Sequence, residues 1–208
     1  MYTKVKKGFD MKKKTIAVII GVVVVCALGI FATLNNLVGM DENCKANWSQ
    51  VLNQYQRRYD LVPNLVSTVK GYAEHEQDTL TQVVEARAKA TQTTLSPDML
   101  SDERAVSTFM QNQENLSSAL NRLMVVVEKY PELKANENFL SLQSQLEGTE
   151  NRIAVARKDY IDSVRVFNTK IRTIPTKWVV AVFSDMKPKA TFDIETAKQE
   201  NPVVDFSR

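Results

Sequence analysis

The side chains that could do chemistry in this chain are few and poorly spaced for a reaction. The single histidine, His75, directly follows Glu74 and has no serine or cysteine at a recognisable relay spacing. Zinc hydrolysis through His-Glu-x-x-His needs a second histidine on the same helix face, and a di-iron bundle needs two Glu-x-x-His pairs. One histidine satisfies neither. Glu147 and Glu150 are three residues apart, a spacing that puts both carboxylates on one helix face and could serve acid–base chemistry. Two carboxylates alone on such a face are ordinarily solvated charge. The six glycines are scattered, so no loop can cradle a phosphate. The expectation is a protein with no enzymatic activity, no cofactor and no metal.

The elements that must carry these residues are helices. From about Asp41 to Ala90, Trp48, Tyr55, Val62, Val69 and Val83 fall on one row of a seven-residue repeat, with Leu52, Tyr59, Val66, Ala73 and Leu80 on the adjacent row. Pro63 sits inside this pattern and removes the helix hydrogen bond to the carbonyl of Tyr59. Because the apolar phase runs on unbroken, a helix kink at Tyr59 and Pro63 is expected rather than a stop. A second helix is expected to start at Ser96 as N-cap with Pro97 at the first helical position, and to end before Pro131. A third runs from near Asn136 to Pro175, with Phe139, Leu146, Ile153, Tyr160, Phe167 and Ile174 spaced by sevens. Trp178 to Phe183 is apolar but too short to cross a membrane and reads as a short fourth helix. The rest, to Arg208, reads as an extended tail. Short polar turns make these helices antiparallel neighbours, so the fold class is all-α, an up-and-down helical bundle.

Pairing the helices about turns near residues 94 and 133 gives a register. It brings Glu76, Gln113, Glu150 and Arg157 to one height as a buried polar layer, with Arg157 balancing a carboxylate. Such a layer most often fixes helix register; the alternative is a small-ligand or ion site. The same register leaves residues 41–54 projecting past the bundle. Trp48, Val51 and Leu52 would then form an uncovered apolar stripe, an interface for self-association or another membrane protein unless the C-terminal tail covers it.

Ahead of the bundle, Thr15 to Leu34 is twenty residues without a charge. At about 1.5 Å per residue it matches the roughly 30 Å of a bilayer core. Six lysines precede it, opposed only by Asp10, and Asp41 and Glu42 follow. The positive-inside bias puts the N-terminus in the cytoplasm and the bulk of the chain in the periplasm or outside the cell. The run is too long for a signal peptide and ends in no small-residue cleavage site. The organisation is a basic cytoplasmic tail (1–14), a transmembrane helix (15–34) and a helical domain (35–208). The tail carries +5; removing it from the chain's +3 leaves the remainder at −2. A mildly acidic domain without a basic stripe speaks against nucleic-acid binding. Cys26 lies in the membrane segment and Cys44 just beyond it, so they build no disulfide framework. Cys44 is expected as a surface thiol, with a bond between two chains as the other reading.

Residues 47–76, NWSQVLNQYQRRYDLVPNLVSTVKGYAEHE, together with EARAKA at 85–90 and EKYPELKANENFLSLQSQLEGTENRIAVAR at 128–157, resemble the LemA family. So do Phe167-Asn168, Ile171 and Pro175, and the terminal Pro202-Val203-Val204-Asp205-Phe206. The family usually has Tyr-Asn where Phe167-Asn168 stands, and Asn where Ile161 stands. The resemblance implies a bacterial, membrane-anchored four-helix bundle and carries over no catalytic residue. Family members often sit beside genes for membrane proteins and metallopeptidases, which implies an accessory role, with a membrane peptidase among the partners to be expected. The reading that follows is a single-pass protein of the bacterial inner membrane, held in the bilayer by residues 15–34. It would act as a non-enzymatic scaffold, accessory or regulatory factor of the cell envelope.

Overall fold

A computed structural model describes residues 2–93 and 95–191, with side chains from Thr15 onward. The terminal Pro202–Phe206 motif, the expected tail from residue 192 to Arg208 and the side chains of the N-terminal lysines lie outside the described residues. The described residues are helical and contain no strand. In chain order they form α1 (Tyr2–Lys70), α2 (Gln77–Gln92), a 3-10 turn (Pro97–Ser101), α3 (Glu103–Val127), α4 (Pro131–Lys134), α5 (Glu137–Arg172) and α6 (Thr176–Phe183). The all-α bundle reading holds, but the expected long helix from Asp41 to Ala90 is two helices.

The break comes at Gly71–Glu76, not at Pro63. Helix α1 passes through Pro63 and stops at Lys70. Gly71 is the first residue outside it, where glycine lowers helix propensity by about 1 kcal/mol relative to alanine. The amides of Tyr72 and Ala73 close the end by bonding to the Val69 carbonyl at 3.0 and 2.9 Å. Helix α2 then doubles back along α1. The start of α3 also differs from expectation. Ser96 makes no side-chain cap; Asp102 caps instead, its carboxylate accepting from the amides of Arg104 and Ala105.

The chain divides into two compact units. The first comprises residues 1–44 and 166–188. It holds the apolar N-terminal part of α1, whose side chains from Ile16 to Phe31 are largely exposed, while Leu37, Cys44, Phe167 and Ile171 are buried. Burial of Cys44 corrects the expectation of a surface thiol and removes it from reach of a second chain. Among the described residues, α1 is the one helix long and apolar enough to cross a membrane.

The second unit comprises residues 45–165 and 189–208. Within its described part, four helices run up, down, up and down: α1, α2, α3 and α5. The order is visible in the bonds. Trp48 and Tyr59 of α1 meet the carbonyls of Leu95 and Ala90, so α2 descends as α1 rises. Tyr55 and Arg58 meet Phe109 and Gln113, so α3 runs parallel to α1. Asn47 and Arg58 meet the Asp159 carbonyl and Glu150, so α5 descends. The fourth helix of this bundle is α2; the Trp178 segment belongs to the other unit. On α1 the buried positions are Trp48, Val51, Tyr55, Arg58, Val62, Leu65 and Val69. Their alternating spacing of three and four is the seam of a coiled-coil-like core.

Candidate functional site

Arg58 stands on that seam, at a position where a leucine would ordinarily pack, with its side chain 2% exposed. A guanidinium so placed must spend its donors on fixed acceptors. Nη1 donates to Ser117 Oγ at 2.9 Å and to Glu150 Oε1 at 3.1 Å. Nη2 donates to the side-chain oxygen of Gln113 and more weakly, at 3.5 Å, to its backbone carbonyl. Gln113 passes the connection on, its Nε2 donating to the Tyr59 hydroxyl, which in turn donates to the Ala90 carbonyl at 3.3 Å. One chain of bonds thereby links α5, α1, α3 and α2. The guanidinium also lies 5.0 Å from the centre of the Tyr55 ring, a cation–π distance. Within the guanidinium, Nε is a buried atom without a hydrogen-bond partner among the described residues.

The surroundings set the electrostatics. Burial pushes the Tyr55 phenol above its ordinary 10.0, against the opposing pull of Arg157 and Arg58. Burial likewise raises Tyr59, with the Gln113 hydrogen bond and Arg58 working the other way. Glu150 keeps 42% of its side chain exposed, so the cluster's countercharge sits at the rim rather than in the core.

Of the four residues expected in the polar layer, the structure brings three together. Gln113 and Glu150 bind Arg58 directly, and Arg157 reaches the cluster through the Tyr55 hydroxyl. Glu76 is elsewhere. It sits in the turn before α2, 3.4 Å from the Tyr130 hydroxyl and 3.9 Å from Lys129 Nζ, at the end of the unit where Asn136 also donates to the Tyr72 hydroxyl. The misplacement has one cause. Turning at Gly71–Glu76 instead of residue 94 takes Glu76 to the bundle end and brings Arg58 to the height of Gln113. The α3–α5 half of the register was sound because the turn near residue 133 is real. Arg58 itself is not singled out by the sequence spacing, although it lies within the RRYD run. The expected apolar rows run through Trp48 and Leu52, whereas the true second row runs through Val51, Arg58 and Leu65.

The expected interface at Trp48, Val51 and Leu52 is likewise corrected. Trp48 and Val51 are wholly buried, and Leu52 is half-buried. The Trp48 ring stands edge-on to Phe109 at 5.4 Å and tilted to Tyr160 at 5.2 Å, while Nε1 donates to the Leu95 carbonyl at 2.9 Å. With α2 doubled back, the α2–α3 connection covers this end of α1. A short C-terminal stretch adds to the cover: the Ala190 amide donates to the Leu100 carbonyl at 2.7 Å, and Tyr160 donates to the Ala190 carbonyl at 3.2 Å.

At the expected kink, Pro63 leaves the Tyr59 carbonyl without its helical donor. Arg87 of α2 supplies one, its Nε donating to that oxygen at 2.8 Å. This explains how α1 continues past a proline, and gives the EARAKA segment a role that sequence spacing did not show.

Open clefts lie between α1 and α5 on the surface of this unit. One, of about 400 Å³, is lined mainly by Asn64, Ser67, Thr68, Asn138, Ser141 and Gln145. Another, of about 380 Å³, includes Asn47, Gln50, Gln54, Asn151, Arg152 and Asp159. The first offers amides and hydroxyls; the second sets amides beside Arg152, Asp159 and the apolar Val155 and Ala156. Among the described residues no three His, Cys, Asp or Glu side chains gather at metal-binding distance.

Comparison with known proteins agrees with the pattern of these residues. The LemA family is matched over residues 47–206. Magnetosome protein MamQ 2 of Paramagnetospirillum magneticum is 26% identical, over 87% of this chain and 73% of that protein. Magnetosome protein MamQ of Magnetospirillum gryphiswaldense is 28% identical, over 69% of this chain and 57% of its own length. Protein LemA of Metamycoplasma hominis is 23% identical over 83% of this chain and 78% of that protein. With the match taking in every helix of the bundle from Asn47 onward, the chain belongs to the LemA family.

Proposed function

We propose that this chain is a single-pass membrane protein whose bundle serves as a non-enzymatic scaffold or accessory factor for another membrane protein of the bacterial envelope. Thr15–Leu34 crosses the bilayer, the N-terminus is cytoplasmic and the bundle lies outside. The observation that carries this reading is the closure of the polar cluster. Both Nη groups of Arg58 are taken up by Gln113, Ser117 and Glu150, and Tyr59 is taken up by Gln113 and Ala90. These polar groups hold four helices in register and leave no preorganised acid, base or nucleophile aimed at a substrate. The alternative, a small ligand or ion held by the layer, has weaker support, since only Glu150 of its bonded members is substantially exposed.

The surface of the bundle best suited to a partner is the groove between α1 and α5 that holds these two clefts. A photoreactive residue at Gln50 or Ser141 in living cells is expected to yield an adduct with an envelope protein or a second copy. The same residue at Val84, exposed on α2, is expected to yield none. Absence of adducts from every groove position, with a small molecule raising the melting temperature instead, would favour the ligand reading and sink the scaffold.

A further inference from the structure

Helix α6, TKWVVAVF, is an apolar element on the surface of the first unit. Thr176 is buried, but Trp178 is 63%, Val182 72% and Phe183 56% exposed, and Ile174 just ahead of the helix is 64% exposed. Trp178 and Val182 are four residues apart and so share one face. In water such a face is a liability, and eight residues are too few to hold a helix by propensity alone. The run is also far too short to span a bilayer.

We propose that α6 lies flat in the interfacial zone of the bilayer that α1 crosses, with Trp178, Val182 and Phe183 among the upper acyl chains. Four observations select lipid as the occupant. Residues 166–188 and 1–44 form one compact unit, so α6 shares a body with the apolar stretch of α1. That stretch ends at Leu34, and Leu37, about 4.5 Å further along the helix, is already buried. The composition is that of an interfacial anchor: tryptophan, whose ring prefers the headgroup boundary, beside aliphatic side chains. The segment 166–188 also carries Lys170, Arg172, Lys177 and Lys187 against Asp185 alone, a charge that complements anionic headgroups. The inference rests on the reading that Thr15–Leu34 spans the membrane.

Trp48 and Trp178 are the chain's two tryptophans, and Trp48 is wholly buried in the other unit. The test reconstitutes the full chain into phosphatidylcholine–phosphatidylglycerol vesicles whose acyl chains are brominated near the headgroup end. Bromine is expected to quench part of the tryptophan emission, and Trp178→Phe is expected to lose that quenching entirely. Quenching of Trp178 by aqueous acrylamide but not by bromine would overturn the proposal. Protection from both would place protein over α6, either the C-terminal residues 192–208 or a second copy, and would overturn it equally. Alkaline carbonate extraction separates the two readings. Wild-type chain retained in the membrane with Trp178 unquenched by bromine fails this inference alone; chain released by carbonate fails the spanning helix and the inference with it.

Discussion

Arg58 joins three helices through a planar fork that reaches Gln113 on one nitrogen and both Ser117 and Glu150 on the other. A lysine has no such fork. Arg58→Ala leaves the side-chain oxygen of Gln113 without its donor inside the core and opens a cavity; the expected cost is about 2–4 kcal/mol, read from thermal or urea unfolding of the detergent-solubilised chain. Glu150→Gln is expected to cost at most about 1 kcal/mol, because the carboxylate is partly solvated and its Coulomb gain is screened. If the two substitutions cost the same, the ion pair and not the buried network holds the layer. Tyr55 and Tyr59 predict a pH dependence. Their folded pKa values lie above 10.0, so the folded state keeps protons that the unfolded state releases. Their contribution is fully present below pH 10 and is lost as pH rises from there through the folded values, so melting temperature should fall more steeply above pH 10 in wild type than in Tyr55→Phe. Arg157 and Arg58 oppose this shift and Glu150 adds to it, with burial dominant. Gln113, Glu150 and Arg157 were legible as members of the layer because polar residues interrupting an apolar row stand out. Arg58 was not, because its own row was read one position away, through Leu52 instead of Val51.

The pairing of α1 with α2 depends on a proline and an arginine acting across the helix boundary. Pro63 removes a donor and Arg87 restores one at 2.8 Å. Arg87→Met is expected to destabilise by about 1–3 kcal/mol, the cost of an unmet buried carbonyl. In a Pro63→Ala background, where the helical amide returns, the same change should cost about 1 kcal/mol less. Equal costs in the two backgrounds would show that Arg87 acts through packing alone. The helices after residue 96 were legible within a few residues because prolines and clean sevens bound them. The break at Gly71–Glu76 was not. Val69, Ala73, Leu80 and Val83 keep an apparent helical phase across the turn, and all four are buried, but Val69 ends one helix, Ala73 lies in the turn, and Leu80 and Val83 belong to the antiparallel helix after it. Periodicity reports which residues face the core, not whether the chain reversed between them.

At the scale of the molecule, the charge is segregated. The tail before Thr15 carries +5 and the remainder −2, which under the positive-inside bias orients the chain. Cys44 cannot report that orientation, because it is buried. A Gln50→Cys substitution in a background with Cys26→Ser and Cys44→Ser puts a thiol on the exposed face of α1. It is expected to react with a membrane-impermeant maleimide in intact spheroplasts; protection there with labelling after lysis would reverse the topology. The proline–arginine contact also bears on how the chain comes into being. Until residue 87 has left the ribosome, the nascent chain holds a helix with a missing bond at Tyr59 and nothing to mend it. The part of α1 around Pro63 is then completed only with α2, as a hairpin. A nascent chain free only through α1 presents an unfinished helix; one free through α2 presents half of a bundle.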